Sequence, residues 1–74
     1  MNPWSPDVEE ELASVLKDWL KQQGRTQADL RRSLRATSTR MTALMEVLER
    51  EHRLGGVPRL AAKLCSIEAD WINN

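Results

Sequence analysis

Apolar positions recur along this chain at helical spacing, and no stretch alternates apolar and polar residues over four or more positions as a half-buried strand does. The first run is Val8, Leu12, Val15, Leu16, Trp19 and Leu20, at i, i+4, i+7, i+8, i+11 and i+12. Ser5-Pro6 in front of it is an N-cap followed by a proline at the first helical position. Asp7, Glu9 and Glu10 stand where the helix dipole favours acids, and Gly24 supplies a C-terminal stop. The pattern predicts a helix over residues 6–23. Trp4, just before the cap, is placed to staple against the first turns of this helix.

Thr26-Gln27-Ala28-Asp29 is a capping box with Asp in the place more often held by Glu, and Leu30 and Leu34 follow it four residues apart. A short second helix is predicted here. Arg35, Ala36, Thr37 and Ser38 then form a connection of about four residues, whose hydroxyls offer a new cap. Met41, Leu44, Met45 and Leu48 predict a third helix, running to about His52 or Arg53 and stopping before Gly55-Gly56. Pro58 opens a further helical stretch with Leu60, Ala61, Leu64, Ile67 and Trp71 on one face. That stretch is either one helix to about Ile72 or two with a joint near Ser66. The expected fold is all-α, a bundle of four to five helices in one domain spanning residues 1–74. A helix-turn-helix is expected at about residues 26–53.

Composition changes this picture little, but charge distribution changes it. Eleven Lys and Arg balance eleven Asp and Glu. Up to Gly24 the acids Asp7, Glu9, Glu10, Glu11 and Asp18 face only Lys17 and Lys21. From Arg25 to Arg40 the balance reverses, with Arg25, Arg31, Arg32, Arg35 and Arg40 against Asp29 alone. Arginine is the side chain best suited to bidentate contact with phosphate or guanine. A neutral chain thus carries a basic middle third. Cys65, the one cysteine, has no intrachain partner and is expected as a small buried hydrophobe in a reducing, cytoplasmic setting. No membrane-spanning run is present in the sequence.

A short helix, a tight turn and a longer helix make the helix-turn-helix arrangement, in which the first helix crosses the phosphate backbone and the second enters the major groove. The stretch from Leu16 through Gly24, Thr26, Gln27 and Leu30 resembles the opening of the phage-repressor (Cro/repressor-type) helix-turn-helix family. Leu60-Ala61-Ala62-Lys63-Leu64 is similar to that family's fourth helix, and Asp70-Trp71-Ile72 to its fifth. Two positions depart from the family pattern. Arg31 stands where a small residue is usual, and Arg35 where glycine usually takes a left-handed turn position. The resemblance implies duplex DNA as partner, with Thr39, Arg40, Thr42 and Ala43 facing bases at the start of helix three. It also implies Thr26 and Gln27 on a phosphate and Arg25, Arg32 and Arg35 supplying sequence-independent attraction. Thr37 and Ser38 in the turn complete the expected DNA-binding set. The acids Glu9, Glu10 and Glu11 are expected to face away from the duplex.

Each feature also has a plainer explanation: arginines on a short helix are usually a solvated face, and a capping box caps whatever the protein does. His52 and Cys65 make no metal site, since structural zinc takes about four ligands. No nucleophile–base pairing, phosphate loop or HExxH pattern occurs, so neither catalysis nor a cofactor is expected. The leading expectation is a DNA-binding transcriptional regulator. The alternative is a non-catalytic protein-interaction or structural module. A homodimer through the C-terminal helix, around Leu64, Ile67, Trp71 and Ile72, is expected, with closure of the monomer core by the same residues as its rival.

Overall fold

A computed structural model of the chain describes residues 4–73. Among these the order is α1 (Pro6–Gln23), α2 (Gln27–Leu34) and α3 (Met41–Asn73), with no strand. There are therefore three helices rather than four or five. The predicted stop at Gly55-Gly56 coincides with a kink at which two helical stretches, taken together as α3, meet without a loop, and no joint occurs at Ser66. Gly56 has φ 70° and ψ −163°, a conformation open in practice only to glycine. A Cβ on Gly55 would lie 2.6 Å from that of Arg59. Both glycines are thus required for separate reasons, and α3 has two arms, 41–55 and 57–73.

The caps follow the sequence closely. Ser5 Oγ accepts from the Val8 amide (3.3 Å). Thr26 Oγ1 accepts from the Asp29 amide (3.2 Å) while an Asp29 carboxylate oxygen accepts from the Thr26 amide (3.0 Å), the reciprocal capping box. Gly24 and Arg35 end α1 and α2 in the left-handed conformation. The connection from α2 to α3 takes the six residues 35–40 rather than about four. Ala36, buried at 6 % exposure, anchors it to the core.

The core is leucine-rich and shared by every element: Leu16 and Leu20 from α1, Leu30 and Leu34 from α2, Leu44, Met45 and Leu48 from the first arm, Ile67 and Trp71 from the second. Leu30, Leu44 and Leu48 are fully buried, and Leu34 is buried at 4 % exposure. The long apolar face predicted for α1 is only partly used, since Val8 and Val15 are 45 % and 60 % exposed. Only the C-terminal half of α1 contributes buried residues.

Three further expectations change. Trp4 reaches across to α3, where its ring lies 5.5 Å from that of His52 and its amide donates to Glu49 (3.3 Å). Cys65 is exposed rather than buried, because Leu64, Ile67 and Trp71 take the inner face of the second arm and Cys65 falls outside it. Ile67 and Trp71 close the monomer core, and of the four residues expected at a dimer contact only Ile72 is exposed, at 73 %.

Candidate nucleic-acid interface

α2, the six-residue connection and the first arm of α3 make a helix-turn-helix. Burial of Leu44, Met45 and Leu48 against α1 and α2 fixes the rotation of the first arm. The opposite side of that arm is then solvent-facing: Thr39, Arg40, Thr42, Glu46, Arg50 and Arg53 are exposed, and Ala43 is half-buried. Arg40 precedes the first helical residue, and its carbonyl accepts from the Ala43 and Leu44 amides (3.0 and 3.1 Å). Its side chain has no acceptor to offer as a cap. Ser38 Oγ accepts from the Arg40 amide (3.3 Å), one step outside the helix. The N–H groups of Met41 and Thr42 therefore point outward as the positive end of a long helix.

The predicted residues fall into two groups. Thr37, Ser38, Thr39, Arg40, Thr42 and Ala43 lie together in the turn and at the start of α3. Arg35 stands at the beginning of the same turn, exposed, with φ 57° and ψ 41°. That is the left-handed position at which the sequence pattern anticipated glycine.

Arg25 and Arg32 lie elsewhere. Arg25 Nη2 donates to the Trp71 carbonyl (2.8 Å), and its guanidinium stands 5.5 Å from the centre of the Trp71 ring. Trp71 packs on Trp19 with ring centroids 5.2 Å apart, and Trp19 Nε1 donates to Glu68 Oε2 (2.9 Å). Arg25 thus latches the start of α2 to the end of α3. Arg32 pairs with Asp29, and both border a depression shared with Arg25, Asp70 and Trp71. Thr26, at the start of α2, has its hydroxyl engaged by Asp29, and Gln27 beside it is half-buried. The hydrogen bond from the Thr26 amide chiefly holds the Asp29 carboxyl below its ordinary value; desolvation opposes it, and the Thr26 hydroxyl and the charges of Arg32 and Arg25 add to the lowering.

The acids of α1 do not all face away. Glu9 and Glu10 line a groove of about 530 Å³ between α1 and the first arm, with Pro6, Ala13, Met41 and Met45 as its apolar part and Thr42, Glu46 and Glu49 on the far wall. Lys17 is the one cation there. A strongly negative flank therefore borders the start of α3 on the α1 side, a feature that single-helix periodicity does not reveal.

A two-turn helix, a turn and an outward-facing second helix with polar and basic residues at its exposed start form the fold of a helix-turn-helix transcriptional regulator. The chain belongs to the picocyanobacterial HTH transcriptional regulator family, whose description matches residues 7–74. No curated protein and no solved structure matches it. No helix among the described residues is long and apolar enough to cross a membrane.

Proposed function

We propose that this regulator reads duplex DNA with the N-terminal part of α3, in a layout of the phage-repressor kind, and acts without catalysis in the cytoplasm. What carries the reading is the juxtaposition of Thr39, Arg40, Thr42 and Ala43 with the uncapped amides of α3 on the side opposite the buried leucines. Arg40 reaches a guanine edge, and Thr39, Thr42 or Ala43 meet a thymine methyl. Arg35, Thr37 and Ser38 hold the phosphates beside the turn, assisted by the helix dipole. Thr26 and Gln27 meet a phosphate at the start of α2 through the Gln27 amide, the Thr26 amide being held by Asp29. Arg25 and Arg32 add only general attraction, because both are already engaged within the chain. Glu9 and Glu10 on the α1 wall of the groove, with Glu49 deeper in it, repel phosphate, so the duplex approaches from the side of the α2–α3 turn and meets only the outer rim, Thr42 and Glu46. Two copies joined through the outer face of the second arm, where Ile72 is exposed, would double the contact with a two-fold site.

The test is duplex binding by Arg40→Ala and Arg35→Ala across a salt titration. Arg40→Ala loses on the order of 1–3 kcal/mol on the preferred site and much less on random duplex. Arg35→Ala weakens both alike and lowers the log–log salt slope by about 0.9. Equal losses for both variants on both duplexes would show that α3 is not the reading element.

A further inference from the structure

The exposed side of the first arm does not end with Thr42. Thr42, Glu46, Arg50 and Arg53 follow at i, i+4, i+8 and i+11, all exposed, and form one ridge opposite Leu44 and Leu48. At 1.5 Å per residue the ridge is roughly 16 Å long, the rise of about five base pairs at 3.4 Å each. The ion pairs open to this face four residues apart are Glu46 with Arg50 and Glu49 with Arg53, of which Glu49 is already engaged by the Trp4 amide. Neither pair forms: among the described residues the ion pairs are Arg32–Asp29 and Arg59–Glu51. Among the described residues Glu46, Arg50 and Arg53 thus make no ion pair, and Glu46 stands on the outer wall of the acidic groove. The helical geometry of α3 breaks at Gly56, immediately beyond the ridge.

Resting on the function proposed above, we infer that the first arm lies lengthwise along the major groove, with Glu46 selecting cytosine and Arg50 and Arg53 gripping phosphate. The selection follows from what a carboxylate meets in that groove. Glu46 is acceptor-only when ionised, so it gains a hydrogen bond only from an exocyclic amine, cytosine N4 or adenine N6. Guanine O6 and N7 and thymine O4 are acceptors and repel it. Adenine sets its own acceptor N7 beside the amine, which leaves cytosine as the better partner. An acid in the middle of a DNA-facing ridge is therefore a filter against three of the four bases. Arg50 and Arg53, one to two turns further on, carry no base code here and meet the phosphates of the groove wall.

The experiment is enrichment of a random-sequence duplex library by the full chain, followed by binding to the selected duplex and to an unselected one. The wild-type chain enriches cytosine at one position by about tenfold. Glu46→Gln moves that position, and no other, to adenine, because a carboxamide pairs with adenine N6 and N7. Glu46→Ala erases the preference there and raises affinity for the unselected duplex. Arg50→Ala and Arg53→Ala leave the base preferences unchanged and each lower the log–log salt slope by about 0.9. All three side chains changed are exposed, and equal helicity of the four variants confirms the fold. Enrichment by the wild-type chain with no change in any Glu46 variant would overturn this inference and leave the proposed function standing. Failure of folded wild-type chain to bind any duplex at low salt would overturn both.

Discussion

The turn after α1 and the turn after α2 close with the same hydrogen bonds through different residues. At the first, the Gly24 amide reaches the Lys21 carbonyl (3.1 Å) and the Arg25 amide the Leu20 carbonyl (2.9 Å). At the second, the Arg35 amide reaches the Arg32 carbonyl (3.3 Å) and the Ala36 amide the Arg31 carbonyl (3.0 Å). Both are Schellman turns with a left-handed residue, at φ 67° for Gly24 and φ 57° for Arg35. Glycine takes that conformation freely, whereas a residue with a Cβ gives up about 1 kcal/mol or somewhat more. The backbone therefore does not require arginine at the second turn. What distinguishes the two is their surroundings, since Arg35 opens the turn that leads to the proposed DNA-reading residues and Gly24 does not. Under the proposed function, Arg35 exchanges stability for a charge beside phosphate, a common arrangement at functional sites.

The core that both turns fold around sets the scale for breaking this comparison. Leu44→Ala removes a fully buried side chain between α2 and α3 and costs roughly 2–5 kcal/mol, a large part of a total of about 5–15 for small domains. An unchanged melting midpoint would mean that α3 is rotated away from α2. Gly56→Ala comes next, at on the order of 1–3 kcal/mol, because its backbone conformation admits no Cβ readily. A loss of helicity confined to the second arm, seen by amide exchange, is its signature.

The turn swap itself is sharper. Gly24→Ala costs about 1 kcal/mol from backbone conformation alone, since a Cβ there would meet nothing within 4 Å. Arg35→Gly gains a similar amount in chemical denaturation while weakening binding to random duplex. If Arg35→Gly destabilises instead, the left-handed arginine is held by contacts that outweigh its strain.

The smallest effect is one of pH. The Asp29 carboxyl lies below its ordinary value chiefly because of the hydrogen bond from the Thr26 amide. A depressed folded-state value means that Asp29 contributes stability above the unfolded value of about 3.9, and that this is lost as pH falls through the lower folded value. Thr26→Ala, compared with wild type across that acid range, flattens the dependence. An identical profile in both chains would remove the capping box as its cause.

How much of this was legible in the sequence depended on how local the cause is. Caps and stops are short-range, so Ser5-Pro6, Thr26–Asp29 and Gly24 placed α1 and α2 within the chain. Leu44 followed from periodicity in the same way. The left-handed state at residue 35 was legible only by resemblance, as arginine gives no hint of it. The double glycine marked the break at Gly56, but not that the two helical stretches abut without a loop, because a glycine pair does not distinguish an end from an elbow. Arg25 illustrates the limit most clearly. In sequence it opens a basic block, yet its partner Trp71 is 46 residues away. The same holds for the groove where Glu9 and Glu10 meet Thr42, which exists only once α1 and α3 are packed together.

The most direct test of the account is backbone amide chemical-shift mapping of the full chain on addition of a short duplex at low salt. The account predicts the largest changes at residues 35–46, smaller ones at Gln27 and along Arg50 and Arg53, and almost none at Glu9 to Ala13 or at Trp71. Changes concentrated instead at the Arg25, Arg32 and Trp71 end, with residues 39–46 unmoved, would contradict it.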